Sequence, residues 1–404
     1  MQTTLAALAV VAVGYILAYL LFDRLRDRYG YVGGAEYVLI GVLLGPRVTG
    51  LLGAGQVQDL TPIVSLAVGW LGMLLGTYFR LPRLALLPPE HVRTAFAEAL
   101  ATFAAALVAL LTLFHVVAGR AWPEAVVQAV TLAAVATLSS PAAVDAFVDR
   151  ARVRAPILPV LQLTARIDAL VAVVAFGLVL AVFHQGEVAP GVRPPTATEW
   201  AVINVAVGVA SGVLFHLFLG PRANGDDAEG TSRLFVALAG AIVVASGASY
   251  YLNLSPIYTN LVLGFILANS GSSHRDVTRL LLATERPVYL ALLIFAGAAW
   301  SPGSADLLFI APAFVIVRLA ARFFGGRVAG LHVAPPEFRT PMFARGLLAQ
   351  GGIGVAIALN YTQVRPDLNP RLILTATILS VLLFEIVASR EAAVTLERLE
   401  PVEP

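Results

Sequence analysis

Apolar residues along this chain gather into runs of bilayer-spanning length, again and again, separated by short polar or arginine-bearing stretches. A membrane span needs roughly 20 mostly apolar residues. Inside hydrocarbon those residues must be helical, because backbone polar groups find no water there. The pattern predicts thirteen spans, at about 4–22, 33–52, 60–79, 92–118, 124–148, 156–184, 198–219, 232–250, 256–270, 280–300, 305–325, 339–362 and 370–391. The longest polar stretches, 185–199 and 221–232, read as loops, the second (PRANGDDAEGTS) as a flexible one. The expected architecture is an all-α integral membrane protein.

Charge gives the spans a direction. With the N-terminus outside, the inner loops hold Arg24, Arg26, Arg28, Arg80, Arg83, Arg93, Arg150, Arg152, Arg154, Arg222, Arg233, Arg275, Arg279, Arg327 and Arg339, and the inner tail adds Arg390 and Arg398. The outer loops hold Arg47, Arg120, Arg193, Arg365 and Arg371. Such an excess marks the cytoplasmic side. It predicts an odd number of spans, a cytoplasmic C-terminus and residence in the cell membrane. Trp122, Trp200 and Trp300 fall at the outer ends of spans, where interfacial aromatics belong. The first run, Leu5 to Leu21, has no basic segment before it and reads as a span rather than a signal peptide.

Composition removes other classes. The 404 residues are 58% hydrophobic and 13% charged, whereas soluble domains carry about 25% charged residues; an ordinary soluble enzyme is excluded. There is no cysteine, hence no disulfide, thiolate metal site or cysteine nucleophile. The six histidines are scattered singly, which argues against a metal cluster. All 27 basic residues are arginines, most of them spread over loops, which gives no stripe for nucleic acid. No cofactor is expected.

Two spans are interrupted. The fifth contains TLSSPAAV, Thr137 to Val144, where Pro141 removes a helix hydrogen bond and Thr137, Ser139 and Ser140 offer hydroxyls to freed carbonyls or to an ion. The twelfth contains LLAQGGIG, in which Gln350, Gly351 and Gly352 are poor material for a straight helix. Spans 1–6 (residues 1–184) and 8–13 (232–391) form two units, joined by a connector with span 7 (185–231) and followed by a tail (392–404). The interrupted helix is the fifth of each unit, and the units run in opposite directions. Interruptions at matching places in inverted halves point to a transport site. Close packing by small residues is the plainer explanation for either break taken alone.

Ionisable residues inside spans are functional candidates. Asp168 lies about 18 Å into span 6, near mid-bilayer. A carboxylate there can bind a proton or a small cation, one displacing the other; Thr164 lies one turn before it. Arg318 and Arg322 share a face of span 11, where a cation can neutralise carbonyls of an unwound helix or stand in for the transported ion. Arg166 sits about 200° round the helix from Asp168 and needs a partner from another span: Glu385 or Glu98. Asp145 and Asp149, at the end of span 5, read as solvated.

Together these segments resemble the monovalent cation/proton antiporters, the sodium/proton and Kef-type exchangers. The resemblance covers nearly the whole chain and is carried by DRLRDRYGYVGGAEYVLIGVLLGP near the start, TLSSPAAV, Asp168, ERPVYLALLIFAGAAW, VRLAARFFGGRVAG and LLAQGGIGVAIAL, in this order. It implies a core domain of spans 4–6 and 11–13 with crossed broken helices, and a dimer-forming domain of spans 1–3 and 8–10. It implies a homodimer in lipid whose core moves like an elevator. The family's essential aspartate maps to Asp168, and its basic residue to Arg318 or Arg322. Ile167 departs from the Asn, Asp or Gln often found before the aspartate, and Leu163 and Thr164 stand where an acid is often found. The Kef-type nucleotide-binding domain is absent from the sequence. The expected activity is electroneutral exchange of Na⁺ or K⁺ for H⁺. The alternatives are an inverted-repeat symporter of an organic anion and an inactive or sensor-like homologue.

Overall fold

Every regular element among the described residues is a helix. The computed structural model describes residues 6–16, 34–150, 157–185, 193–219, 228–270, 274–303, 305–334 and 342–399. The expectations for Arg24, Arg26, Arg28, Arg152, Arg154, Arg222, Arg339 and most of the 221–232 loop lie outside these. Each of the thirteen expected spans falls on a helix or on a pair of half-helices. Among the described residues, eight helices are individually long and apolar enough to cross a membrane, and three shorter apolar ones accompany them. Their outward faces carry exposed Leu217, Val236, Phe309 and Ile316, the reverse of a soluble protein and suited to hydrocarbon.

The helices pack as two groups in contact. The first comprises α1 (Ala6–Ile16), α2 (Ala35–Leu44), α3 (Thr61–Thr77), α8 (Ala197–Leu219), α9 (Ala228–Tyr251), α10 (Pro256–Asn269) and α11 (His274–Ala299). The second comprises α4 (Pro89–Leu111), α5 (Trp122–Thr137), α6 (Pro141–Arg150), α7 (Ile157–Val182), α12 (Ala311–His332), α13 (Met342–Gly346), α14 (Gly351–Val364) and α15 (Pro370–Leu399).

Backbone-to-backbone approach holds the first group. A Cβ at Gly72 would run into the Ile257 carbonyl, and one at Gly264 into the Met73 carbonyl. Only glycine permits that contact of α3 with α10, the small-residue packing by which membrane helices associate. In the second group α4 packs against α12, with Gly325 seated on Thr102. The second group contains both interrupted helices.

Candidate functional site

Helix α5 stops at Thr137. Leu138 is extended (φ −63°, ψ 129°), and Pro141 opens α6 at the position where its missing N–H costs nothing. The second break runs from Leu347 to Gln350 and restarts at Gly351, whose φ of +66° belongs to the left-handed region that glycine adopts freely.

The two breaks lie against each other. Ser140 N donates to Ala349 O at 2.8 Å. Ser139 Oγ lies 3.0 Å from Leu347 O. Gln350 fastens the crossing from two sides: its Nε2 donates to Val135 O at 2.9 Å, and its Oε1 accepts from Ser380 Oγ at 2.8 Å.

Half-helices that end inside the protein leave carbonyls without intrahelical partners, and the negative ends of their dipoles converge. Two buried arginines of α12 answer them. Arg318 Nη2 donates to Leu138 O at 3.1 Å and to Leu348 O at 3.0 Å, one carbonyl from each break. Its guanidinium also stacks 4.0 Å from the Phe384 ring centroid. Arg322 Nη2 donates to Thr137 O.

The other nitrogen of Arg322 serves two acids. Nη1 lies 2.8 Å from Asp168 Oδ2 and 2.9 Å from Glu98 Oε1. Asp168 Oδ2 is also 2.5 Å from Ser139 Oγ, and Glu98 Oε1 accepts from Thr102 Oγ1 at 2.8 Å. Asp168, Glu98, Arg318 and Arg322 are all fully buried. Asp168 Oδ1 and Glu98 Oε2 have no hydrogen-bond partner in the protein, nor do Nε and Nη1 of Arg318. A buried carboxylate oxygen without a donor is costly and invites a proton or a small cation. The Ser139 hydroxyl has one hydrogen and two acceptors in reach, Asp168 Oδ2 and Leu347 O. If the Asp168 carboxyl takes a proton it can donate to Ser139, which then donates to Leu347 O, and the two acceptors around the Ser139 hydroxyl no longer compete for one hydrogen.

No protein-family model matches the chain, and no curated protein matches it by sequence. By fold it is similar to the solved structure, at pH 8, of the sodium proton antiporter MjNhaP1 from Methanocaldococcus jannaschii: TM-score 0.66 and 14% identity over 98% of this chain and 99% of that one. The chain is a multi-pass, all-α membrane protein with the sodium/proton antiporter fold.

Within that fold, Asp168, Ser139, Arg318, Arg322, Pro141, Gln350 and Gly351 meet at the crossing. Ser140 is there too, its Oγ accepting from Ala143 N at 3.2 Å. Thr137 reaches the site with its carbonyl, since its hydroxyl donates to Ala133 O at 2.8 Å. Thr164 similarly donates to Val160 O of its own helix, at 2.8 Å. Gly352 packs against the Tyr289 ring of α11.

Three expectations are corrected. Arg166 pairs with neither Glu385 nor Glu98: its Nη2 lies 3.2 Å from Asp145 Oδ2, and its guanidinium is 4.9 Å from the Tyr78 ring centroid. Asp145 is therefore ion-paired rather than merely solvated. The break at Pro141 redirects α6 and brings its first turns to α7, which a straight span 5 would not do. Glu385 leaves the crossing altogether. Its Oε2 accepts from Gly34 N at 3.0 Å and its Oε1 from Tyr289 Oη at 2.6 Å, so it binds helices of the other group.

Glu98 is the site residue that sequence reasoning assigned elsewhere. Its signal was present: one acid inside the apolar run AFAEALATFAAAL, with Thr102 one turn on. Beside the site, an apolar crevice of about 260 Å³ lies between α4, α7, α10 and the segment that follows α3; Phe79, Phe96, Ile167 and Phe265 help to line it.

Proposed function

We propose that the protein exchanges a monovalent cation, Na⁺ or K⁺, for H⁺ across the cell membrane, with Asp168 as the shared site. The observation that carries this reading is the fully buried Asp168 carboxylate at the crossing, one oxygen held by Arg322 and Ser139 and the other without a partner. One carboxylate with two competing ligands is the least that exchange requires. The fold shared with a protein named a sodium proton antiporter supports the same reading.

The charge count supports electroneutral exchange. Arg318 is committed to carbonyls of the breaks, and Arg322 offsets one acid of the pair it touches. One carboxylate charge is left, which one proton or one monovalent cation neutralises. Asp168 is closed from both sides, and the neighbouring crevice is lined with apolar side chains that cannot conduct an ion. Access therefore requires the helix groups to move, as in an elevator carried by a homodimer of inverted-repeat subunits. Symport of an organic anion is a second reading, favoured by the two unpartnered nitrogens of Arg318.

Reconstitution in proteoliposomes with a pH-sensitive dye tests these readings. Alkali cations should evoke proton flux, a membrane potential should leave its rate nearly unchanged, and Asp168→Asn should abolish it while the protein stays folded. Flux evoked by organic anions alone would move the assignment to symport.

A further inference from the structure

Arg322 has one nitrogen for two acids, and this division bears on how strongly any cation can bind. Glu98 comes from α4, Asp168 from α7 and Arg322 from α12. The two Nη1 contacts, 2.9 and 2.8 Å, are nearly equal. Glu98 is anchored by Thr102, one turn along its own helix, through the same oxygen that faces Arg322. All three charged side chains are fully buried, so solvent screens them little.

We propose that Glu98 sets the cation affinity of the site by competing with Asp168 for Arg322. This rests on the exchange reading above. With Asp168 alone, Arg322 would be a permanent internal counter-ion: the pair would be neutral, and an arriving cation would have to displace a guanidinium at hydrogen-bonding distance. Glu98 draws off part of that interaction and leaves the trio one negative charge in surplus. The surplus sits within a few ångströms of the unpartnered Asp168 Oδ1, where charges interact strongly at low dielectric. Glu98 does not bind the ion in this scheme; it positions Arg322 and supplies the balancing charge.

The groups facing Asp168 from the neighbouring elements are Glu98 of α4, Ser139 of the break and the two α12 arginines, Arg318 and Arg322. Removing the Glu98 charge weakens cation and proton binding together. Glu98→Gln should therefore raise the apparent KM for the cation about tenfold or more and move the pH of half-maximal flux downward. Glu98→Asp, which keeps the charge, should stay within about threefold of the unmodified protein. Thr102→Val keeps the shape but removes the neutral donor on Glu98. Glu98 then takes a larger share of Arg322, and KM should fall.

The experiment is cation-dependent proton flux in proteoliposomes for the unmodified protein and the three variants, with thermal stability measured on the same samples. A higher KM in Glu98→Gln and a lower one in Thr102→Val support the proposal. An unchanged KM in both, whatever the stability, overturns it and leaves Glu98 as packing. If Glu98→Gln fails to fold, Thr102→Val decides by itself. Absence of cation-evoked flux in the unmodified protein would sink the exchange reading and this inference together, an outcome distinct from normal flux with unmoved KM.

Discussion

Arg166 and Asp168 stand two positions apart on one helix and belong to different interactions. The helical period separates them by about 200°, and the structure uses both directions: Asp168 turns to Arg322 and Ser139, Arg166 to Asp145 and Tyr78. The side chains of Arg166 and Asp145 are 32% and 30% exposed, so their attraction is partly screened and worth about 1 kcal/mol or less. Buried pairs behave differently, since stranding one charge costs about 3–5 kcal/mol. Arg166→Leu should therefore cost little stability in detergent. A double-mutant cycle should show coupling with Asp145→Asn and simple additivity with Glu385→Gln. Coupling to Glu385 instead would overturn the pairing of Arg166 with Asp145. The period of the helix was readable from the sequence; the partner was not, because it depends on where α6 points after Pro141.

The crossing of the broken helices shows how far local sequence reaches. TLSSPAAV and LLAQGGIG each announce an interrupted helix, and their matching positions point to each other. The hydrogen bonds that join them could not be read, since they pair Ser140 N with Ala349 O across more than two hundred residues. Glu98 shows the same limit. An acid in an apolar run is visible, but its partner is fixed by how α4 packs on α12. Gly351 is where the crossing is tightest. Its φ is +66°, and an added Cβ would lie 2.5 Å from Ser140 Oγ and 2.7 Å from Ser140 Cβ. Left-handed backbone costs an L-residue about 1–2 kcal/mol, and overpacking adds typically 1–3 kcal/mol. Gly351→Ala should lower the thermal midpoint in detergent by several degrees and abolish flux. Gly354→Ala is the control: the nearest atoms to its added Cβ are 3.4 Å away, at Gln350, and it sits in ordinary helix, so it should be near neutral. Equal losses in the two variants would show that the left-handed turn is not what shapes the crossing.

Polar contacts join the two helix groups toward both ends of the bundle. Ser255 Oγ donates to Asn360 Oδ1 at 2.8 Å, and Ser65 Oγ to Gln363 Oε1 at 2.9 Å, joining α10 and α3 of the first group to α14 of the second. Elsewhere Glu385 of α15 holds Gly34 and Tyr289 of the first group. Tight glycine contacts bind helices within the first group, and the second is pinned by the buried charges and the crossing. The elevator proposed above requires the groups to slide along an interface that includes the apolar crevice and the close contacts of Gly177 with Tyr258 and of Gly352 with Tyr289. If Asp168 meets each side of the membrane in turn by such sliding, a covalent tie across this interface must stop exchange without touching the site. The chain has no cysteine, so an engineered pair would be alone. Ser255→Cys combined with Asn360→Cys places two thiols where the hydrogen bond now lies, far along α14 from Gly351. Oxidation or a short bifunctional cross-linker should reduce cation-evoked proton flux in proportion to the fraction cross-linked. Reduction of the disulfide should restore it, and either single variant should be insensitive to oxidant. Flux that persists in fully cross-linked protein would show that the groups stay fixed during turnover, and access to Asp168 would then have to open within the second group itself.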